Sequence, residues 1–257
     1  MADNQDASTA RDEGSPLTRP GFLVAAVLVL VIVVLGAFIA IRVARSDDTT
    51  PTPPPASTSP LTPPTTGASS PASPGAASVC GLAGSANGES LTSAPAATWQ
   101  YEETTAYPTS PEFGPGKTAD EGYRYCFQHT PAGSVFATAN ALAQGTSTDV
   151  AKIGAWAQYF VSEGAGRGGV LDQLNEPRGD NTGIRMTIVG FKVLSYSGDT
   201  ARIDLAVQTS GSAQTVYASS VYELAWQDGD WKLNSDVPTP FNFATIPTVD
   251  GYVPWKA

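Results

Sequence analysis

Two hydrophobic periods divide the second half of the chain. From Thr130 to Gly164 apolar residues recur every three to four positions, and from Gly183 onward they recur at every second one. In HTPAGSVFATANALAQG, Val135, Ala139 and Leu142 fall at helical spacing, as do Phe136 and Ala143. Thr130 is placed to cap this helix, Pro131 to open it and Gly145 to end it. In STDVAKIGAWAQYFVSEG a Ser/Thr cap precedes an apolar face of Val150, Ile153, Trp156 or Ala157, and Phe160 or Val161. A shorter helix is predicted over Gly169–Leu174.

After Gly183 the pattern is that of strands. GIRMTIVGFKVLSYSGD (Gly183–Asp199) reads as a strand ending in a turn, and TARIDLAVQTS sets Ile203, Leu205 and Val207 against Arg202 and Asp204. TVYASSVYELAW (Thr215–Trp226) is a long strand, and WKL is its return. Between them QDGD carries Asp-Gly, the strongest short hairpin signal. Gly229 is expected to supply a positive φ there, with Asp228 supporting a solvated turn and Asp230 beginning the return. Carboxylates on such a turn lack the pocket that separates the pKa values of an acid/base pair. Upstream, Cys80–Trp99 reads as irregular or edge structure, Pro111–Lys117 as a loop and Glu121–Phe127 (EGYRYCF) as a short strand. Helices followed by an antiparallel meander predict an α+β domain with helices on one sheet face.

The first third of the chain is organised differently. Residues 21 to 41 carry no charge, and as a helix they would span about 31 Å, close to the thickness of a bilayer's hydrocarbon core. The run is longer than a signal-peptide core, so an uncleaved transmembrane helix is predicted over 21–43, with a cytoplasmic tail at 1–20. Arg11 and Arg19 before it are balanced by Arg42 and Arg45 after it, so flanking charge does not orient it. Residues 44–78 form a Pro/Ser/Thr-rich linker. Its composition blocks ladders and offers no core, which predicts a disordered, semi-rigid spacer. That spacer and an even pair of cysteines place the remaining domain, 79–257, outside the membrane, in a compartment that permits disulfides. A Cys80–Cys126 bridge is predicted, tying the irregular leader to the core.

Charge and motif content narrow the function classes. The chain carries a net charge of -10, and its acidity argues against a nucleic-acid partner. His129 is the sole histidine; its place before a helix suggests a cap or surface role, and without it no Ser/His/Asp triad can be assembled. No metal-ligand spacing is present, and no cofactor is predicted. GAGRGG (Gly164–Gly169) lacks the lysine-serine ending of a phosphate loop and reads as a flexible connector. No catalytic, cofactor-binding or metal-binding residue is assigned. Trp156, Tyr159 and Phe160 could line a cavity, although aromatics on a helix face usually belong to the core; a carboxylate and a tyrosine could perform acid/base work in such a cavity.

The arrangement as a whole resembles a known kind of protein. The anchor, the Pro-rich linker, CGL at Cys80–Leu82, GYRYCFQHTPAGSVFATAN at Gly122–Asn140 and the DGDW hairpin resemble an uncharacterised actinobacterial membrane-anchored domain family met among conjugation and mobile-element genes. The helices, meander and terminal hairpin resemble the nuclear-transport-factor-like cone fold. The resemblance implies helices on a curved antiparallel sheet and no defined chemistry. Three readings follow. The first is an extracytoplasmic scaffold bound to the membrane, with other envelope proteins or itself as partner, in a conjugative apparatus of the type IV secretion kind. The second is a sensor or carrier for a small ligand. The third is a cone-fold enzyme.

Overall fold

The alternating residues of the second half build one long sheet, and the helical half packs against it. The computed structural model describes residues 77–84, 91–176, 184–211 and 215–257. The predicted tail, transmembrane span and linker up to residue 76 lie outside the described residues. No helix among the described residues is long and apolar enough to cross a membrane.

Strands β1 (Thr98–Glu102) and β2 (Thr105–Thr109) form a hairpin; β3 (Lys117–Thr118) and β4 (Arg124–Tyr125) form a second, two-stranded sheet. Helices α1 (Pro131–Gly145), α2 (Val150–Phe160) and α3 (Arg167–Leu174) follow. Then come β5 (Arg185–Tyr196), β6 (Thr200–Ser210), β7 (Thr215–Gln227), β8 (Asp230–Leu233), β9 (Phe241–Ile246) and β10 (Val253–Pro254). The main sheet runs β1-β2-β5-β6-β7-β8, with β10 added to β5 and β9 to β7. It curls into a half-barrel, and the domain is α+β.

The sheet is mixed rather than wholly antiparallel. β2 meets β5 in parallel, at Thr105 opposite Met186. Parallel neighbours need a long crossover, and the three helices supply it. The β1–β2 hairpin lies in the stretch read partly as irregular. Its turn carries Glu103 at φ 51 instead of a glycine or asparagine, so the usual hairpin signal is missing. The aromatic run Glu121–Phe127 contributes only the two residues of β4, because Cys126, at φ 69, leaves the strand conformation.

Helix α1 is buried on every side. Thr130 Oγ1 accepts the Gly133 N–H, as expected of a cap. A helix enclosed on all faces must satisfy its polar side chains internally. Ser134 and Thr138 donate to Pro131 and Ser134 carbonyls. Asn140 donates to the carbonyls of Pro108 and Phe136, and accepts from Arg124 Nε. Gln144, one turn on, accepts the Arg124 N–H and donates to the Arg124 carbonyl, so two side chains at i and i+4 clamp β4.

Helix α2 is capped by Asp149 rather than by the Ser/Thr pair before it; Asp149 Oδ1 accepts the Lys152 N–H. Thr148 donates instead to Glu103. Trp156, Ala157 and Phe160 are buried, but Val150 is 81% exposed, since its first-turn position lies beyond the sheet contact. The glycine-rich connector to α3 is packed, not loose. A Cβ on Gly166 would come within 1.9 Å of the Ser235 carbonyl oxygen, and Arg167 donates to carbonyls at the end of α2.

The core lies between α1, α2 and the strand positions Ile188, Phe191, Ile203, Leu205, Val207, Leu224, Trp231 and Leu233. Trp255, close to the chain end, closes one side of it. Its ring meets Trp99, Phe136 and Phe191 at centroid distances of 5.1, 5.1 and 5.5 Å, and its Nε1 donates to the Pro95 carbonyl. Trp255→Ala is expected to cost about 3–5 kcal/mol, the range for removing a buried aromatic ring. Denaturant unfolding measures this; a loss under about 1 kcal/mol would show that the ring is dispensable.

Candidate functional site

Asp228 and Gly229, at φ 56 and 76, form the turn between β7 and β8, as the Asp-Gly pair predicts. Asp230 does not share their exposure. The register turns it inward, and it is 1% exposed. One of its oxygens accepts the Cys126 N–H at 2.7 Å and the Tyr159 hydroxyl at 2.8 Å. The other accepts the Phe127 N–H at 2.8 Å and its neighbour Trp231's N–H at 2.9 Å. The positive φ of Cys126 aims two successive amides at one carboxylate, as in an anion-binding nest.

Cys126 also holds the segment around Cys80. The sulfurs of Cys80 and Cys126 lie at disulfide distance, 2.05 Å. Beside them Val79 donates its N–H to the Gly229 carbonyl, and a Cβ on Gly229 would meet Val79 N at 2.9 Å. The residues following the linker are therefore fastened to the β7–β8 turn and to the backbone that binds Asp230.

Around Asp230 lies a group of ionisable side chains. Lys232, 5% exposed, donates to the Tyr159 carbonyl at 2.8 Å, and its Nζ stands 3.0 Å from the centroid of the Tyr159 ring. Tyr123, Tyr125 and Tyr159 pack at centroid distances of 5.1 to 5.9 Å. Burial pushes Asp230 above the ordinary carboxylate range, against the downward pull of the Phe127 amide, the Tyr159 hydroxyl, the Cys126 amide and the Lys232 charge. Burial, then Asp230, holds the Tyr159 phenol far above its usual value. Burial lowers Lys232 to about 8, with Asp230 opposing.

Asp230 and Tyr159 make a carboxylate–tyrosine pair that the reading of Asp230 as a solvated turn residue missed, but its bonding is closed. With four donors on two oxygens, Asp230 has no free acceptor direction for a substrate. Trp156 and Phe160 are buried in the core, as aromatics on a helix face usually are, and stack on one another at 5.0 Å.

A second buried cluster joins five elements. Glu102 of β1 pairs with Arg124 of β4 at 2.7 Å and with Lys152 of α2. The Arg124 guanidinium lies 3.7 Å over the Tyr107 ring of β2, and its Nε donates to Asn140 of α1. His129 is buried too, contrary to the expected cap or surface role. Its Nε2 donates to the Gly198 carbonyl at 2.7 Å, and its ring stacks on Trp226 at 3.9 Å. Among the described residues no group of three His, Cys, Asp or Glu is placed to hold a metal ion.

The fold and these ties define an α+β domain in which a buried carboxylate joins β8 to α2 and to the segment entering α1. The model of a domain of unknown function, DUF8175, matches residues 60–254, and the chain belongs to that family. No curated protein and no solved structure matches the chain.

Two predictions follow from the Asp230 cluster. Asp230→Ala leaves the Cys126 and Phe127 amides buried without an acceptor and is expected to cost on the order of 3–5 kcal/mol. A melting temperature within a degree or two of wild type would contradict it. The second concerns Lys232. Its folded value of about 8 lies below its ordinary 10.5, so between these the folded chain has released a proton that the unfolded chain retains. Stability therefore rises with pH across that window by an amount on the order of 1–3 kcal/mol, relative to a Lys232→Met variant. Parallel pH profiles for the two proteins would overturn this.

Proposed function

We propose that this chain is a membrane-anchored scaffold whose domain, 79–257, works outside the membrane by binding and positioning other envelope proteins rather than by turning over a substrate. The span at 21–43 fixes it to the bilayer and the linker at 44–78 sets its reach. Tethering raises its effective concentration near other membrane components, so weak contacts suffice. The observation that supports this reading is the saturation of Asp230: the group of residues closest to an acid/base site is committed to holding the fold. The resemblance to an actinobacterial family met among conjugation genes extends the proposal to a transfer apparatus of the type IV secretion kind. Helices packed on a curled sheet accord with a cone-like domain. The net charge of -8 counted from Val79 onward disfavours a nucleic-acid partner.

A second reading, a small-ligand carrier, has one observation in its favour. His129 Nδ1, Trp226 Nε1 and Tyr196 Oη are buried without a hydrogen-bond partner, on side chains grouped around or near Trp231. Buried polar atoms without partners are costly, and a polar ligand there would remove that cost.

Two measurements test the scaffold reading. Protease added to wall-stripped cells is expected to remove the domain while cytoplasmic markers survive; full protection of the domain would contradict its placement. Crosslinking in cells is expected to join the full chain to other envelope proteins, while a chain lacking residues 1–76 folds but loses both the crosslinks and function. Restoration of function by that shortened chain would defeat the proposal.

A further inference from the structure

Strand β9 pairs with β7 through one edge, and among the described residues no strand pairs with the other. Which backbone groups face that open edge follows from the ladder. Glu223 donates its N–H to the Pro240 carbonyl at 2.8 Å, so this position of the β7–β9 register is a hydrogen-bonded one. Hydrogen-bonded positions alternate in an antiparallel pair. Counting along the register, Asn242, Ala244 and Ile246 turn their N–H and C=O groups toward β7. Phe241, Phe243 and Thr245 turn theirs outward.

Those outward groups complement themselves. If two β9 strands meet antiparallel about a two-fold axis at Phe243, Phe243 faces Phe243 and Phe241 faces Thr245, and each facing pair can exchange two bonds. A register shifted by one residue would set outward groups against inward ones. The self-pairing also keeps each sheet face continuous. Phe243, which is 39% exposed and meets the Tyr222 ring edge-on, would be brought opposite its own counterpart on the core-facing side.

The charge distribution favours a second copy as the occupant. The domain is acidic, yet residues 237–249 carry no charge at all, between Asp236 and Asp250. Two acidic copies repel over most of their surfaces and least along this stretch. Exposed edges are ordinarily blunted by lysines, inward charges, bulges or prolines, and β9 has none within it. Pro240 and Pro247 stand only at its ends, where they limit the length of pairing.

We propose that β9 is a self-association surface, through which two copies of this chain join their sheets by antiparallel β9–β9 pairing centred on Phe243. The inference rests on the binding-and-positioning reading and assigns it a surface. A closed two-fold pair is self-limiting, unlike a head-to-tail contact of β9 with β1, which would propagate.

The test uses the full chain in its membrane, with a photo-reactive benzoylphenylalanine at position 243. The expected product is a homodimer whose linked peptides both contain residues 241–246. Thr245→Pro removes an outward N–H but no bond to β7. It should reduce the dimer about tenfold or more while the Cys80–Cys126 link and protease resistance of the domain persist. Thr245→Val should dimerise like wild type. The proposal is overturned by a product linking position 243 to β1 of a second copy, by no homodimer, or by a Thr245→Pro chain that dimerises normally. Crosslinks from position 243 to a different envelope protein would also overturn it, yet would leave the scaffold reading standing. Conversely, function restored by the chain lacking residues 1–76 would defeat the scaffold reading without abolishing the β9 crosslink.

Discussion

A carboxylate withdrawn from water must find donors for both oxygens, and Asp230 finds them on three separate parts of the chain. The Cys126 and Phe127 amides come from the segment entering α1, the Tyr159 hydroxyl from α2, and the Trp231 amide from β8 itself. Removing any partner would leave a buried charge less than fully bonded, which is costly. The docking of α2, the left-handed turn at Cys126 and the return of the β7–β8 hairpin are thus mutually dependent. The disulfide adds the start of the domain to the same point, because Cys126 bears both the bridge and one of the amides.

The Glu102–Arg124–Lys152 cluster does similar work at the β1–β2 hairpin. It draws the β1–β2 hairpin, β4 and α2 together, and Asn140 and Gln144 of α1 add hydrogen bonds to Arg124. Arg124 is held by a helix with no exposed face of its own. Polar residues inside such a helix are tolerated only where the fold brings partners to them. These two fastenings commit Asp230, Tyr159, Glu102, Arg124 and Lys152 to contacts within the fold.

The C-terminal segment shows how a short stretch can matter without an obvious pattern. Trp255 fills the space between α1, β1 and β5, while Tyr252 donates to the buried Asp204 carboxylate at 2.6 Å from the opposite sheet face. Burial, followed by that bond, pushes Tyr252 up to about 12. The last strand is thereby held on both faces although it pairs over only two residues.

Local physics made a good part of this legible in sequence. The caps and apolar spacing of α1, the period-two runs of β5 to β7 and the Asp-Gly turn all depend on neighbours a few residues apart. The paired cysteines suggested their own bridge. The rest depended on partners distant along the chain. Asp230 reads as one more acidic residue of a turn, and His129 as a cap; only the register of β8 and the approach of the β5–β6 turn put them inside. The parallel contact of β2 with β5 and the short C-terminal strands were hidden for the same reason: they draw stability from surfaces assembled elsewhere. What makes β9 an open, uncharged edge is likewise a matter of tertiary structure. Its composition is visible in sequence, but which of its amides face outward is decided by the register against β7.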